Sequence, residues 1–216
     1  DSLILEVLHY YEKRKDKKHL PEAYYYAGRI YRDLGDAPQA LEYFFKAIES
    51  AKDCTNYRLI SRIYSQTGML YLYQETYDQA LEVFRKAYQY NILADDSTGI
   101  VYNLRDIGRT FTTLNCADSS LYYYKKALKY YVMAKDSKNI KKTAWQLALK
   151  YMENRDYDKA LSVCTQYGDE KMQHNVKKSK AGYYYIQKEY DKAITLFEEI
   201  GEDKLADKVK EAKESN

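Results

Sequence analysis

The chain carries two prolines, eight glycines, three cysteines and three histidines in 216 residues. So few chain breakers exclude a loop-rich architecture and leave no Gly/Ser-rich linker to divide the chain. Pro21 and Pro38 fall at or beside predicted helix starts, where proline is tolerated. Cys54, Cys116 and Cys164 are odd in number and form no CxxC, so free thiols are expected rather than a disulfide framework. His9, His19 and His174 have no metal-ligand spacing among themselves or with the cysteines, and no metal is expected. A glycine-rich phosphate loop and a nucleophile elbow are both missing. No cofactor and no catalytic constellation are recognised, and the chain is read as non-enzymatic. Nor is there a run of about 18 apolar residues, so no membrane span is expected. No secretory signal is present, and the chain is read as a soluble segment, cytoplasmic or periplasmic, of a longer protein. Net charge is only +3, which argues against a nucleic-acid ligand.

What the chain does have is a period. Gly28, Gly68 and Gly108 are forty residues apart, and Ala148 continues the series. Three residues after each small residue stands an aromatic: Tyr31, Tyr71, Phe111 and Tyr151. Twelve after it come Ala40, Ala80, Ser120 and Ala160, and sixteen after it Phe44, Phe84, Tyr124 and Cys164. Such self-similarity predicts an all-α solenoid of antiparallel helix pairs, in which small residues let two helices approach and the aromatics fill the space around the contact. The expected pairs are 21–34/37–52, 56–73/77–94, 97–113/117–134, 138–153/157–166 and 174–186/190–199. A turn also recurs, as Glu75–Leu81, Arg155–Leu161 and Lys188–Ile194, and the aspartates following its tyrosine, Asp78, Asp158 and Asp191, are expected to cap the second helix of the pair.

With its order of aromatic, apolar, small, aromatic, then alanine, aromatic, alanine, the pattern resembles the tetratricopeptide repeat. The resemblance runs along nearly the whole chain and is similar to repeat regions of bacterial regulatory and scaffold proteins. It implies a right-handed superhelical solenoid. The period is longer than the common one of about 34 residues, and the extra residues fall near Asp53–Asn56, Asp95–Ser97 and Asp136–Asn139. We expect a single domain over 1–216, with a helix left from an upstream repeat at 1–18, five helix pairs over 21–200 and a capping helix at 202–214. The start at Asp1 is read as a boundary from which an upstream segment has been removed.

In this family the first helix of each pair lines a concave groove. Carried onto this chain, the lining positions include Tyr25, Arg29, Arg32, Arg62, Tyr102, Arg105, Arg109, Lys142 and Trp145, and these are the candidate partner-binding residues. Five of the nine arginines fall on the stripe but only two of the 26 lysines. Arginine offers a planar fork for carboxylates and stacks on aromatics, the composition of a binding hot spot. The competing reading pairs these arginines internally with Asp33, Asp106 or Glu22. The family's clamp for a chaperone's acidic tail would fall on Tyr25, Arg29, Gln66, Tyr102 and Asp106, which do not match it, so that ligand is not expected.

A second feature is a basic segment. Lys125, Lys126, Lys129, Lys135, Lys138, Lys141, Lys142 and Lys150 face only Asp136 between residues 120 and 150. It is either a solvated face or a surface for an acidic partner. The expected function is a protein–protein interaction scaffold whose partner is a protein or peptide segment, acidic or with aromatic and apolar anchors. The alternative is a sensor or regulatory repeat region of a larger signalling or membrane-anchored protein.

Overall fold

The computed structural model describes residues 2–215, and among these the regular structure is helical throughout, with no strand. The helices are α1 (Ser2–Arg14), α2 (Leu20–Asp33), α3 (Ala37–Ser50), α4 (Tyr57–Tyr73), α5 (Tyr77–Leu93), α6 (Ser97–Thr113), α7 (Ala117–Met133), α8 (Ser137–Glu153), α9 (Tyr157–Tyr167), α10 (Glu170–Ile186), α11 (Tyr190–Glu199) and α12 (Asp203–Glu214). The chain divides into two compact units, Asp1–Tyr123 and Tyr124–Asn216, with the boundary inside α7.

In the first unit α2 packs on α3 and α4 on α5, and the first helices α2, α4 and α6 are neighbours in turn. The spacing of each pair is set by the small residues of the forty-residue period. A methyl group at Gly28 would lie 2.6 Å from two ring carbons of Phe44, and one at Gly68 would lie 2.6–2.9 Å from three ring carbons of Phe84. Both rings are fully buried, together with Ala40, Ala47, Ala80 and Ala87. Stacked rings surround this contact: Tyr31 on Tyr43, Tyr64 on Tyr90 and Phe111 on Tyr123, with centroids 5.3–5.7 Å apart. Many tyrosines are therefore packing residues whose hydroxyls reach the surface. The Tyr24 hydroxyl donates to Glu12 Oε1 at 2.9 Å and ties α2 to α1, whose Leu8 is buried against Ala23 and Ala27.

In the second unit α8 packs on α9, α10 on α11 and α11 on α12, with α8 and α10 also in contact. Ala148, Ala160 and Cys164 occupy the same phases as the residues above and are fully buried. Ala206 and Val209 of α12 close over Ala193 and Phe197 of α11. Ion pairs lace the surface of this unit, among them Lys180–Asp158 at 2.7 Å and Lys210–Glu198 at 2.8 Å.

The tight turns within pairs share one geometry. The residue after the helix C-cap has positive φ: Gly35, Glu75, Asn115, Arg155 and Lys188, the last four at 56–61°. The next backbone N–H then reaches back to the carbonyl of the repeat's aromatic: Asp36 to Tyr31, Thr76 to Tyr71, Cys116 to Phe111, Asp156 to Tyr151 and Glu189 to Tyr184, at 2.8–2.9 Å. This six-to-one bond satisfies an orphan carbonyl of the helix end. The left-handed conformation costs a residue with a side chain on the order of 1 kcal/mol.

The turn geometry corrects the expected caps. Tyr77, Tyr157 and Tyr190 are already the first helical residues, so Asp78, Asp158 and Asp191 lie in the first turn rather than at the cap. There they oppose the helix dipole favourably. The capping aspartates stand one residue before the helix. Asp36, Asp96, Asp136 and Asp156 each accept the N–H three residues on, at 3.0–3.2 Å, and Asn56 does the same for Leu59 at 3.1 Å. Three of these caps, Asn56, Asp96 and Asp136, sit where the period gains its extra residues. A second correction concerns α10, which begins at Glu170 rather than near 174, because the Asp169 carboxylate accepts the Met172 N–H at 3.0 Å.

Two tests follow from this packing. Gly68→Leu forces side-chain atoms into the Phe84 ring and is expected to cost about 1–3 kcal/mol in urea denaturation, whereas Lys129→Ala on an exposed surface should stay within about 0.5 kcal/mol. An unchanged midpoint for Gly68→Leu would show that the helices do not meet there. The second test is pH. Burial, then the bond to Glu12, push the Tyr24 hydroxyl up to about 12 from its ordinary 10, and burial likewise raises Tyr43, Tyr64, Tyr71 and Tyr157. The unfolded chain therefore loses these protons first. Their contribution is intact below about pH 10 and drains away as pH rises through about 12. Denaturation midpoints should be unaffected by these groups up to about pH 10 and fall above it; a midpoint that holds from about 10 to about 12 would contradict the partial burial of these tyrosines.

Candidate functional site

The first helices of the first unit form one face because polar side chains bridge them. Arg32 of α2 donates through Nη1 to Gln66 Oε1 of α4. Asn103 of α6 donates through Nδ2 to Ser65 Oγ of α4 at 2.9 Å, and accepts on Oδ1 from Asn91 Nδ2 of α5 at 2.6 Å. Asn91 and Asn103 are almost fully buried, so these bonds satisfy groups that would otherwise destabilise the fold. The asparagine pair is not apparent from the repeat pattern, although two amides at buried phases are a signal that could have found it.

The stripe arginines fall into two groups. Arg32 is held by Asp33, with Nη2 at 2.5 Å and Nε at 2.9 Å, besides its bridge to Gln66. Arg105 clasps the buried Asp106 through Nε at 3.0 Å and Nη2 at 2.9 Å, with its guanidinium 5.0 Å from the Tyr102 ring centroid. Arg109 reaches the same carboxylate only at 3.8 Å and stays 47% exposed in its side chain. Arg29 and Arg62 form the second group. Neither makes an ion pair among the described residues; Arg29 lies 5.9 Å from the rings of both Tyr25 and Tyr26, and Arg62 is exposed.

Tyr25 itself is 6% exposed and packs against Phe44, with ring centroids 6.2 Å apart. Its ring is large enough to fill the space above the core from a position where later copies carry Ser65 and Arg105, so it supports Arg29 from below instead of presenting its own surface. Tyr102 is 42% exposed. In the second unit Lys142 is exposed and Trp145 half-buried, both on α8.

The three cysteines are free: Cys116 exposed, Cys54 intermediate and Cys164 buried, with burial pushing the Cys164 thiol up to about 11. Among the described residues no group of three or more His, Cys, Asp or Glu could hold a metal ion, and no helix is long and apolar enough to cross a membrane.

Helix pairs joined by left-handed turns, small residues against buried rings and a polar-bridged face of first helices define an all-α helix-repeat protein. Residues 19–91 match the tetratricopeptide repeat model, and the helix pairs beyond them continue a repeat-like fold. No curated protein matches it by sequence. Among solved structures it is similar to the apo form of RapI (TM-score 0.62, 14% identity, 99% of this chain and 96% of that one). It is also similar to BtubC from P. vanneervenii (0.62, 16%, 95% and 87%) and to YrrB, described as a TPR protein with an unusual peptide-binding site (0.60, 17%, 94% and 96%). At these identities the likeness is one of fold.

The two arginine groups predict different stability effects. Asp106→Ala leaves the half-buried Arg105 without its carboxylate and is expected to cost about 2 kcal/mol, while Arg62→Ala should stay within about 0.5 kcal/mol. Equal effects in urea denaturation would show that the distinction between internally paired and open arginines is wrong.

Proposed function

We propose that the protein is a non-catalytic interaction scaffold that holds an extended or helical segment of a protein partner on the first-helix face. The observation that carries this reading is the open charge of Arg29 and Arg62 beside the bridged α2–α4–α6 surface. Their forks are not neutralised within the fold, unlike those of Arg32 and Arg105, and each can take a carboxylate in two places. Arg109 and Tyr102 add a loosely held charge and an exposed ring. Lys142 and Trp145 of α8 belong to the same reading as a surface of the second unit. The peptide site named for YrrB makes a peptide ligand a natural choice for this fold. The chemistry favours a partner segment with carboxylates and an aromatic or apolar anchor.

The test is fluorescence anisotropy with arrays of 12-residue peptides, acidic against charge-neutral, each with and without an aromatic residue. Acidic peptides with an aromatic should bind best, and Arg29→Ala with Arg62→Ala should weaken them by about 2 kcal/mol, roughly 30-fold, with the melting midpoint unchanged. Equal binding of acidic and neutral peptides, or of wild type and variant, would contradict the proposal.

A further inference from the structure

The second unit has an apolar notch that the first-helix face does not include. Second helices α5 and α7 are 17 residues long, but α9 has 11 and ends at Tyr167. The six missing residues correspond to about 9 Å of helix, roughly one and a half turns. Beside its end an open cavity of about 380 Å³ lies between α7, α8 and α9. Leu128 and Leu147 form its floor, and Val132, Met133 and Val163 its walls. Val132 and Met133, on the last turn of α7, are 39% and 71% exposed.

The rim is basic. Lys125 and Lys129 are exposed, and neither forms an ion pair among the described residues. No carboxylate lines the cavity. Asp156, which senses Lys125, is already held by Lys159 at 2.6 Å. The Lys125 ammonium lies 5.4 Å from the Tyr151 ring centroid, which keeps it over the notch. Apolar walls beneath two open positive charges match a ligand that is apolar on one side and carboxylate-bearing on the other. The notch is short and open, so it suits side chains from one or two helical turns rather than a long acyl chain.

We infer that this notch docks a short acidic amphipathic helix of a protein partner, which takes the place of the turns that α9 lacks. Its apolar residues at i and i+3 or i+4 enter between Met133 and Val163, and its carboxylates meet Lys125 and Lys129. The inference is independent of the first-helix face.

The experiment is selection from a phage-displayed library of 12-residue peptides on the whole chain, counter-selected on the Lys125→Glu/Lys129→Glu variant. Enriched peptides should pair two apolar residues at helical spacing with at least one Asp or Glu. As synthetic peptides they should bind roughly 10-fold more weakly to Lys125→Glu/Lys129→Glu and to Met133→Asp. Met133 is largely exposed, so this second variant should keep its helical circular dichroism. Binding should be unchanged in Arg29→Ala/Arg62→Ala. No enrichment, enriched peptides without the pattern, or binding that follows Arg29→Ala/Arg62→Ala instead would overturn the inference. So would phosphatidylserine vesicles that bind in a Lys125- and Lys129-dependent way and displace the peptides, since the surface would then belong to a membrane.

Discussion

The close approach of a small residue on one helix to an aromatic ring on the next is the constraint on which the pairs depend. Phe44 and Phe84 occupy the volume that a side chain at Gly28 or Gly68 would need. Interiors are close-packed, so neither partner can change size without shifting a helix. The alanines at the neighbouring phases keep the helices at that distance, and the stacked tyrosines seal the sides. Within the first unit repetition carries this local device from one pair to the next, since α3 packs on α4 and α5 on α6.

The turns convert that spacing into direction. A left-handed residue followed at once by a cap reverses the chain in the fewest residues, and the six-to-one bond lands on the carbonyl of the same aromatic that flanks the helix contact. Side-chain packing and backbone reversal thus share Tyr31, Tyr71, Phe111 and Tyr151. With the backbone fixed in this way, positions on the first helices are free to vary. They carry two kinds of arginine: Arg32 and Arg105, spent on internal acceptors, and Arg29 and Arg62, which are not. The proposed scaffold function rests on the second kind.

The period made the helix pairs legible, since small and aromatic residues at fixed phases mark the places where helices touch. The caps were harder, because an aspartate on either side of Tyr157 satisfies the sequence rule. Only the left-handed Arg155 decides that Asp156 is the cap and Asp158 is not. Tyr25 reads as a lining residue by phase, yet its ring is drawn down onto Phe44. The clasp of Arg105 on Asp106 joins adjacent residues, but its worth depends on the burial of that carboxylate, which composition does not reveal. The Arg32–Gln66 and Asn91–Asn103–Ser65 bridges connect different helices and need coordinates to be seen. The shortness of α9 is visible in the spacing, while the notch beside its end emerges only when the last turn of α7 is placed.

The central claim, that contact between a small residue and a ring sets the helix spacing, is tested most directly by a double-mutant cycle between Gly68→Ala and Phe84→Leu in urea denaturation. The added methyl group collides with ring carbons that leucine removes, so the double variant should be more stable than the sum of the single effects by at least about 1 kcal/mol. Effects that add within about 0.5 kcal/mol would show that the two residues do not constrain each other, and would contradict the account.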